Sequence, residues 1–403
     1  MRVLYISTAF QRVKGDVIAP WMTEAIKRLK KKGLDIEVFT SSYKGMGDHY
    51  IDGIYVRRFR YFQRKLERLA HEEAASDRFK RSLFYKFLAF FYLIGGMMGM
   101  LRLCRKERYD ILHVHWPIPH GLFGYIGKKV SGAKMISTFY SAELTWIKKK
   151  IPYLKWFLKW VIHHSDAVTA NSSYTAKELE ELVHRHVSII PYGAAIQEGE
   201  LKIVGRQKSP HQKNILFVGR LIERKGVPYL IEAFEEVLQK KDVILTIVGE
   251  GPERKKLERM VRSKKLEERV FLPGIVKQED LETCYQKCDV FVLPAVTDKR
   301  GETEGLGVVL IEAMNYKKPV IASNVGGIVD IIKDNETGIL VPERDSKKLA
   351  EAISELLTNE EQARRLREEG YRFVNENFSW DRVTDRLLTL YHNLLYSPSN
   401  VEN

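Results

Sequence analysis

Cysteine is scarce in this sequence, with three residues among 403: Cys104, Cys284 and Cys288. That number is too small for a disulfide framework and suits a reducing compartment. Cys284 and Cys288 stand four residues apart, as on one face of a helix, but no histidine pair lies near them. They therefore fit small buried side chains better than metal ligands.

Acidic residues are scarce in the first half of the chain. Residues 1–200 contain 33 Lys and Arg against 19 Asp and Glu, whereas residues 201–403 contain 33 of each kind. The formal net charge of +14 therefore comes entirely from the first half. Such an asymmetry indicates contact with nucleic acid, an anionic membrane surface or an anionic substrate.

Long apolar runs are scarce as well. The stretch Phe87–Leu101 carries no charge over fifteen residues. As a helix it would rise about 22 Å, less than the ~30 Å of a membrane's hydrocarbon core, so we expect no membrane-spanning helix. The N-terminal apolar stretch is too short for a signal peptide and is predicted to form a first strand.

Residues 60–108, which include this stretch, interleave basic and aromatic side chains. Two interpretations stay open for them: an interfacial segment on an anionic membrane, or a helix pair packed on its domain through a buried apolar stripe. The same interleaving occurs on surfaces that bind single-stranded nucleic acid. No recognisable nucleic-acid-binding motif accompanies it, so we expect no nucleic acid partner.

The order of elements predicts an α/β protein. Short apolar stretches such as Ile111–His115 and Val290–Leu293 alternate with helical patterns in both halves, as in parallel, doubly wound sheets. A polar stretch around residues 193–213 separates the halves. We predict two Rossmann-like domains, residues 1–195 and 213–379, that face each other across a cleft at the carboxyl ends of their strands. A C-terminal helix over residues 380–396 is expected to pack back on the first domain.

Two glutamates in a glycine-broken segment are the most informative feature of the chain. Between Glu304 and Glu312, glycines precede an apolar stretch, which predicts a loop that turns into a helix. Backbone N–H groups at that helix N-terminus would bind an anion, whereas the carboxylates would repel a phosphate and suit neutral hydroxyls. Phosphate flanked by hydroxyls describes a nucleotide sugar. Taken alone, the pair also fits a solvated loop and a surface charge pattern.

A second segment supplies cations. After the predicted strand Ile215–Val218, the following loop carries Arg220 and Lys225, whose natural role at a strand's carboxyl end is to hold a diphosphate. Taken alone, they also fit two solvated loop cations. The later glycines Gly249 and Gly251 do not form a dinucleotide fingerprint, because Arg254 occupies the third glycine position.

Together these segments resemble the retaining glycosyltransferases of family 4, which have the GT-B fold. The resemblance covers nearly the whole chain and is strongest in the second half, where five sequence blocks follow in the family's order. These blocks begin at Phe217, Val248, Phe271, Glu304 and Lys318.

The resemblance implies a role for each matching residue on the donor side. Arg220 and Lys225 grip the diphosphate, Glu304 binds the hydroxyls of the donor sugar, and Glu312 binds the ribose hydroxyls. The other implied donor contacts, by phosphate-binding main chain or beside the base, are Gly15, Ile275, Val276, Gly305, Leu306, Gly307 and Val308.

The first half matches the family more loosely. The segment around His113 resembles the one that supplies an active-site histidine, here His115; a satisfied core histidine is the alternative. Where relatives often read Thr-x-His-Gly-Ser-Asp, this chain has Tyr140 in place of the histidine and Glu143 in place of the aspartate. The implied acceptor side consists of Asp16, Tyr140 and Glu143.

Charge determines the expected mechanism. Cleavage between the anomeric carbon and phosphate leaves negative charge on the diphosphate, which Arg220, Lys225 and the helix N-terminus would stabilise. No Asp-x-Asp pair occurs in the chain, so we expect no metal and no cofactor beyond a UDP- or GDP-linked sugar as co-substrate. The retaining reaction that the resemblance implies is front-face attack, in which the leaving phosphate helps to deprotonate the acceptor hydroxyl. Glu304, His115, Arg220 and Lys225 form the expected catalytic set.

The sequence thus predicts a retaining, metal-independent glycosyltransferase that acts on a lipid-linked or polysaccharide acceptor in cell-envelope or exopolysaccharide synthesis. We expect it in the cytoplasm, held peripherally on the inner membrane face by its basic first half. Two alternatives stay open: a soluble transferase that makes a small glycoside or sugar phosphate, and a non-catalytic nucleotide-sugar-binding protein.

Overall fold

The computed structural model describes residues 1–14, 16, 18–69, 82–150, 152–193 and 212–396. Contacts divide these residues into two compact units. The first contains the described residues of Met1–Tyr192 together with the helix that begins at Trp380, and the second contains those of Gly193–Ser379. Each unit is built on one sheet with helices packed against it.

An eight-stranded sheet organises the first unit. Its strands are β1 (Arg2–Ile6), β2 (Asp35–Ser41), β3 (His49–Ile51), β4 (Ile54–Phe59), β5 (Ile111–His115), β6 (Lys134–Phe139), β7 (Ala167–Ala170) and β8 (Ser188–Ile189). They lie in the order β3-β4-β2-β1-β5-β6-β7-β8, and all neighbours are parallel except β3 and β4. The strand order reverses between β1 and β5, which is where α/β sheets bind ligands at the carboxyl ends of their strands.

Helices cover both faces of this sheet because its central strands bury side chains on both sides. Along β1, Leu4 and Ile6 point to one face while Val3 and Tyr5 point to the other, as strand periodicity requires. The helices that precede the second unit are α1 (Pro20–Lys31), α2 (Leu83–Lys106), α3 (Pro117–Ser131), α4 (Ala142–Lys150), α5 (Lys155–His164) and α6 (Ser173–Val183).

Helix α2 contains the uncharged stretch noted in the sequence. It is 24 residues long, and by length and composition alone it is sufficient to cross a membrane. One side of it nevertheless packs on the fold along its length, with Leu88, Tyr92 and Met100 buried in the core. Its glycines allow close approach, since a Cβ on Gly96 would lie 2.2 Å from the Phe123 ring. The buried apolar stripe is therefore confirmed, while the basic residues of 70–81 lie outside the described residues.

A six-stranded parallel sheet organises the second unit. Its strands are β9 (Lys213–Val218), β10 (Val243–Val248), β11 (Val270–Gly274), β12 (Val290–Leu293), β13 (Val320–Ser323) and β14 (Ile339–Val341), in the order β11-β10-β9-β12-β13-β14. The helices are α7 (Val227–Leu238), α8 (Arg254–Ser263), α9 (Gln278–Lys287), α10 (Val308–Asn315), α11 (Ser346–Thr358) and α12 (Glu360–Phe378). Here the order reverses between β9 and β12, so the loops after these two strands flank the expected ligand position.

The last helix, α13 (Trp380–Tyr396), belongs to the first unit, where it packs beside α1. Trp380 and Tyr391 are buried. The Tyr391 hydroxyl lies 2.9 Å from the Tyr5 hydroxyl and 2.7 Å from His113 Nδ1. An ion pair between Lys32 and Asp385 joins the helices at the surface, and such exposed pairs add little stability. Packing and the buried hydroxyl therefore hold α13 in place.

Replacement of Tyr391 by Phe should destabilise the first unit, because it leaves the buried polar atoms of Tyr5 and His113 short of a partner. We expect a loss of about 1–3 kcal/mol in the free energy of unfolding, measured by urea unfolding. Tyr396→Phe is the matched control, since Tyr396 lies on the same helix and is exposed. Equal stability of the two variants would contradict the role given to Tyr391.

Candidate functional site

Lys225 and Glu304 meet at the point where the strand order of the second sheet reverses. Lys225 follows β9, Glu304 follows β12, and Lys225 Nζ donates to Glu304 Oε2 at 2.5 Å. Both side chains are largely buried, with 12% and 14% exposed. Gly226 permits the close approach of the loops after β9 and β12. Its φ is 66°, and a Cβ on this residue would lie 1.7 Å from the Pro294 carbonyl oxygen.

Both groups of this pair are charged. Burial alone would raise the pKa of Glu304, but the attraction and hydrogen bond of Lys225 outweigh it and hold the pKa below its ordinary value. The Gly307 N–H also donates to this carboxylate. The sequence assigned separate roles to the two residues, whereas the structure joins them in one buried ion pair.

Helix α10 begins where the sequence predicts a loop that turns into a helix. Gly307 precedes it with a φ of 91°, and no side chain caps its first turn among the described residues. The Gly327 N–H donates to the Glu304 carbonyl oxygen at 2.9 Å, so the loop after β13 also fixes this segment. Gly305 to Val308 therefore present a helix N-terminus directly beside the ion pair, which is the geometry of an anion site.

Glu312 lies about one turn after the start of α10 and is buried. Its Oε2 accepts a hydrogen bond of 2.8 Å from the Tyr285 hydroxyl on α9. Tyr285 is itself buried and stacks on Tyr316 with ring centroids 5.5 Å apart. The sequence did not identify Tyr285 as a site residue, because an aromatic ring at helical spacing is typical of an ordinary core residue. Its hydroxyl fixes the orientation of the carboxylate predicted to bind ribose.

The remaining donor-side residues stand on neighbouring loops of the second unit. Arg220 follows β9 and is exposed, and its guanidinium makes no hydrogen bond or ion pair with any other described residue. Ile275, 80% exposed, and Val276 follow the edge strand β11. Their predicted contacts with diphosphate and base stay predictions.

In the first unit, His113 and His115 lie two residues apart on β5, so their side chains point to the same face, and the rings stack with centroids 4.2 Å apart. Burial lowers the pKa of His113 to about 3, and burial and then the neighbouring His113 hold the pKa of His115 well below its ordinary value. Both rings are therefore neutral. His113 is the satisfied core histidine, because Tyr391 and Thr138 bond its two ring nitrogens.

His115 is different. Its Nδ1 lies 2.6 Å from the Tyr140 hydroxyl, while its buried Nε2 has no hydrogen-bond partner in the part of the chain that is described. A cavity of about 30 Å³, room for one or two water molecules, is bounded by His115 together with Tyr140, Tyr192 and Trp21. Trp21 stacks on Tyr192 at 5.2 Å, so aromatic rings wall this edge of the sheet.

Glu143 is brought to the same edge by α4. Its Oε1 accepts the Tyr140 N–H at 2.8 Å, and its buried Oε2 has no partner among the described residues. Burial raises the pKa of Glu143 to about 7. This carboxyl is therefore close to half ionised at neutral pH, in contrast to the fully ionised Glu304.

Asp16 is held within its own loop. Its Oδ2 accepts hydrogen bonds from the Arg12 main chain at 3.0 Å and from Arg12 Nε at 2.7 Å. Burial opposes ionisation, but Arg12 outweighs it and lowers the pKa of Asp16. Its carboxylate thus shapes the loop after β1. Gly15, predicted as a donor contact, lies outside the described residues.

Backbone strain marks the carboxyl edge of the first sheet. Ala19, Trp116 and Ser141 have φ values of 46°, 50° and 75°, although none is a glycine. Trp116 directly follows His115 and Ser141 directly follows Tyr140. Such conformations cost free energy and cluster at functional sites, and no pattern in the sequence indicated them.

No group of three or more His, Cys, Asp or Glu side chains in the described ranges has an arrangement that could hold a metal ion. The charged groups of the candidate donor site are instead the ion pair, Arg220 and the N-terminus of α10.

Comparisons with known proteins agree with this geometry. The model of glycosyl transferases group 1 matches residues 201–373, and that of glycosyltransferase family 4 matches residues 20–198. The chain therefore belongs to the family 4 glycosyltransferases and has their GT-B fold. The family and fold predicted from the sequence are confirmed.

Particular relatives show how varied this family is. N-acetyl-alpha-D-glucosaminyl L-malate synthase of Bacillus anthracis is 28% identical over 75% of this chain and 79% of that protein. GDP-mannose-dependent alpha-(1-6)-phosphatidylinositol monomannoside mannosyltransferase of Mycobacterium tuberculosis is 26% identical over 72% of this chain and 77% of that protein. The solved sucrose-phosphate synthase of Thermosynechococcus elongatus has a TM-score of 0.72 at 21% identity, covering 99% and 100% of the two chains.

The pKa of Glu143 makes the stability of the first unit depend on pH. In the unfolded chain this carboxyl has a pKa of about 4.3, so the folded state binds its proton more tightly and loses stability as the group ionises. The free energy of unfolding should fall as pH rises from about 5 to about 8, by on the order of 2–3 kcal/mol from this group.

Replacement of Glu143 by Gln removes the titrating group and should flatten this decline in a series of urea titrations. Glu181→Gln serves as the control, because Glu181 is an exposed carboxylate in the same unit. If the Glu143→Gln protein and the control show the same dependence on pH, Glu143 does not titrate as described.

Proposed function

We propose that this protein is a retaining, metal-independent glycosyltransferase that takes its sugar from a nucleotide-diphosphate donor, UDP- or GDP-linked. The observation that carries the proposal is the buried Lys225–Glu304 pair beside the N-terminus of α10. A cation, a carboxylate and a row of N–H groups at a sheet's reversal point suit phosphate on one side and hydroxyls on the other.

Each group has a defined part in the proposed reaction. Lys225 is shared between the Glu304 carboxylate and the diphosphate, and Arg220 reaches the diphosphate from the same loop. As the bond from the anomeric carbon to phosphate breaks, these cations and the helix N-terminus stabilise the charge that develops on the leaving group. Glu304 orients the sugar through its hydroxyls, and the leaving phosphate accepts the acceptor's proton on the same face.

Lys225→Ala and Glu304→Ala should each lower sugar transfer, or donor hydrolysis, by about 10²–10³-fold in kcat, the usual cost of losing one preorganised electrostatic contact. Lys348→Ala and Glu351→Ala are matched controls, because these residues form an exposed ion pair of 2.8 Å in the same unit. Full activity of both site variants would contradict the assignment. A wild-type protein that binds the donor but neither transfers nor hydrolyses it would favour the non-catalytic alternative.

The acceptor is proposed to be a lipid-linked or glycan precursor on the cytoplasmic face of a membrane. Relatives named above include one whose acceptor is a phosphatidylinositol mannoside and one named for a glucosaminyl malate product, so family membership alone leaves the small-glycoside alternative in place. What favours the lipid is the outer surface of the first unit.

An apolar rim is present on that surface. Helix α2 ends five residues before β5 and therefore runs from the carboxyl edge of the sheet to its amino edge. Its first turns reach past the end of β4, where Phe62 contacts Phe84 and Phe87 with ring centroids 6.4 and 6.2 Å apart. Helix α5 leads to β7 in the same way. The exposed apolar side chains at the start of these helices, here called the apolar rim, are Leu83, Phe84, Phe87, Phe90, Tyr153 and Trp156.

Charge and composition of the apolar rim match a bilayer interface. Phe87, Phe90 and Trp156 are 53%, 59% and 64% exposed, which is unfavourable in water and favourable at the boundary between headgroups and acyl chains. Exposed Lys86 and Lys155 flank them, and the first half carries the whole net positive charge of the chain. The rim lies toward the same edge of the sheet as His115 and Tyr140.

The double substitution Phe87→Ser and Phe90→Ser should weaken binding to anionic vesicles, because it removes two exposed aromatic side chains that would be buried in the bilayer interface, each worth up to roughly 1.5–3 kcal/mol. Flotation with phosphatidylserine-containing liposomes measures the effect, and raised salt should weaken wild-type binding further. Met98→Ser and Tyr50→Ser are controls, since both residues are exposed and apolar but lie away from the rim.

Two outcomes would separate the alternatives. If the wild-type protein does not float with the liposomes but transfers sugar to a soluble acceptor, the proposed membrane contact is wrong and the small-glycoside enzyme is favoured. Equal flotation of the rim variant and the controls would show that the rim is not the surface in contact with lipid.

A further inference from the structure

We infer that Tyr140 is a positioning residue that fixes the tautomer of His115, so that Nε2 of His115 carries the proton and acts as a hydrogen-bond donor toward a ligand oxygen. The inference rests on the proposed function for the class of that ligand, a substrate that offers hydroxyl oxygens. It assigns His115 the role of a neutral donor and excludes the role of general base for the acceptor hydroxyl.

The first observation is the length of the bond between the two side chains. Tyr140 Oη and His115 Nδ1 are 2.6 Å apart. Hydrogen bonds donated by O–H are commonly this short, so the distance agrees with donation by the phenol. A phenol is also a much stronger acid than a neutral imidazole, whose bare nitrogen is the better acceptor. The hydroxyl of Tyr140 therefore donates, and Nδ1 accepts.

The second observation is that His115 is neutral, so that one nitrogen is bare and the other protonated. Its side chain is buried at 4% exposure and stacks on His113. The groups packed around the ring are uncharged aromatic side chains: Tyr5 at 4.8 Å, Trp21 at 5.9 Å and Tyr140 at 6.1 Å between ring centroids. With Nδ1 as the acceptor, the proton must be on Nε2.

The third observation is that this Nε2 has no partner in the described part of the chain, although it is buried. A buried donor without a partner costs about 1–3 kcal/mol. The adjoining cavity is lined mostly by aromatic and aliphatic side chains, so the natural partner of this N–H is an oxygen from outside the protein, supplied by a ligand or, before a ligand binds, by a water molecule. Oxygen acceptors are what a sugar hydroxyl or a phosphate offers.

The residue that makes this possible is the tyrosine at position 140, because a neutral histidine in its place could either donate or accept. A tyrosine whose hydroxyl is buried stays protonated, because burial raises its pKa well above the ordinary value. The hydroxyl therefore keeps its proton at neutral pH and holds Nδ1 as an acceptor.

The test is ¹⁵N NMR of the full chain labelled at histidine, which distinguishes protonated from bare ring nitrogens without any substrate. The His115 signals are those missing from the spectrum of His115→Gln. We expect Nε2 to be protonated and Nδ1 to be bare and hydrogen-bonded. In Tyr140→Phe the proton should no longer be confined to Nε2, so both ring-nitrogen signals of His115 should move toward the averaged positions of a mixture of tautomers.

Kinetics provide a second readout. Tyr140→Phe should lower kcat/KM about tenfold, the value of one buried hydrogen bond. His115→Gln, whose amide N–H reaches the position of Nε2, should keep more activity than His115→Ala, which offers no donor. If His115 were a base, Gln and Ala would be equally inactive.

A protonated Nδ1 in the wild-type spectrum, or an Nδ1 signal that does not move in Tyr140→Phe, would overturn the inference. These spectra do not depend on activity. Absence of transfer by the wild-type protein with every donor would instead count against the proposed function and leave the assignment of the tautomer standing.

Discussion

The second unit depends on one buried ion pair. Lys225 and Glu304 lie on loops that follow two neighbouring strands, and most of the surface of both side chains is buried away from water. Loss of one partner from such a pair leaves an uncompensated buried charge, which costs about 3–5 kcal/mol. The pair thus joins the two loops that flank the reversal of strand order, and it keeps a cation and a carboxylate in place before any ligand arrives. Preorganised charge of this kind needs no rearrangement when negative charge develops on a leaving group.

The side chains at the carboxyl edge of the first sheet are mostly neutral, in contrast to the charged pair of the second unit. This edge of the first sheet contains two neutral histidines, a tyrosine and other aromatic rings, and Glu143 at this edge is easily protonated because burial raises its pKa to about 7. Neutral donors suit uncharged oxygen acceptors such as hydroxyls. On the outer surface of the first unit, exposed Lys86 and Lys155 stand beside the exposed aromatic residues at the start of α2 and α5.

The sequence predicts the parts of this protein that depend on local pattern. Apolar runs identify strands such as β5 and β12 with their observed bounds, and glycines mark the start of α10. Strand β3 escapes prediction because His49–Ile51 is too short to show a pattern. The pairing of Lys225 with Glu304, of Glu312 with Tyr285 and of His115 with Tyr140 depends on strand order, which brings together residues far apart in the chain. Asp16 also has a partner that the sequence does not predict, because its carboxylate binds the neighbouring Arg12; its place on the acceptor side, implied by the family resemblance, stays a prediction.

The central claim is that the second unit binds a nucleotide-diphosphate sugar without a metal. A thermal-shift series with UDP, GDP, their monophosphates and their sugar conjugates, all in EDTA, tests it most directly, because a ligand of the folded state raises stability by about 2.7 kcal/mol at one hundred times its Kd. We expect the nucleotides of one base, uridine or guanosine, to raise the midpoint of thermal unfolding as the diphosphate and as the diphosphate sugar. The monophosphate of the same base should raise the midpoint much less. Equal shifts with monophosphate and diphosphate, or no shift with any of them, would contradict the claim.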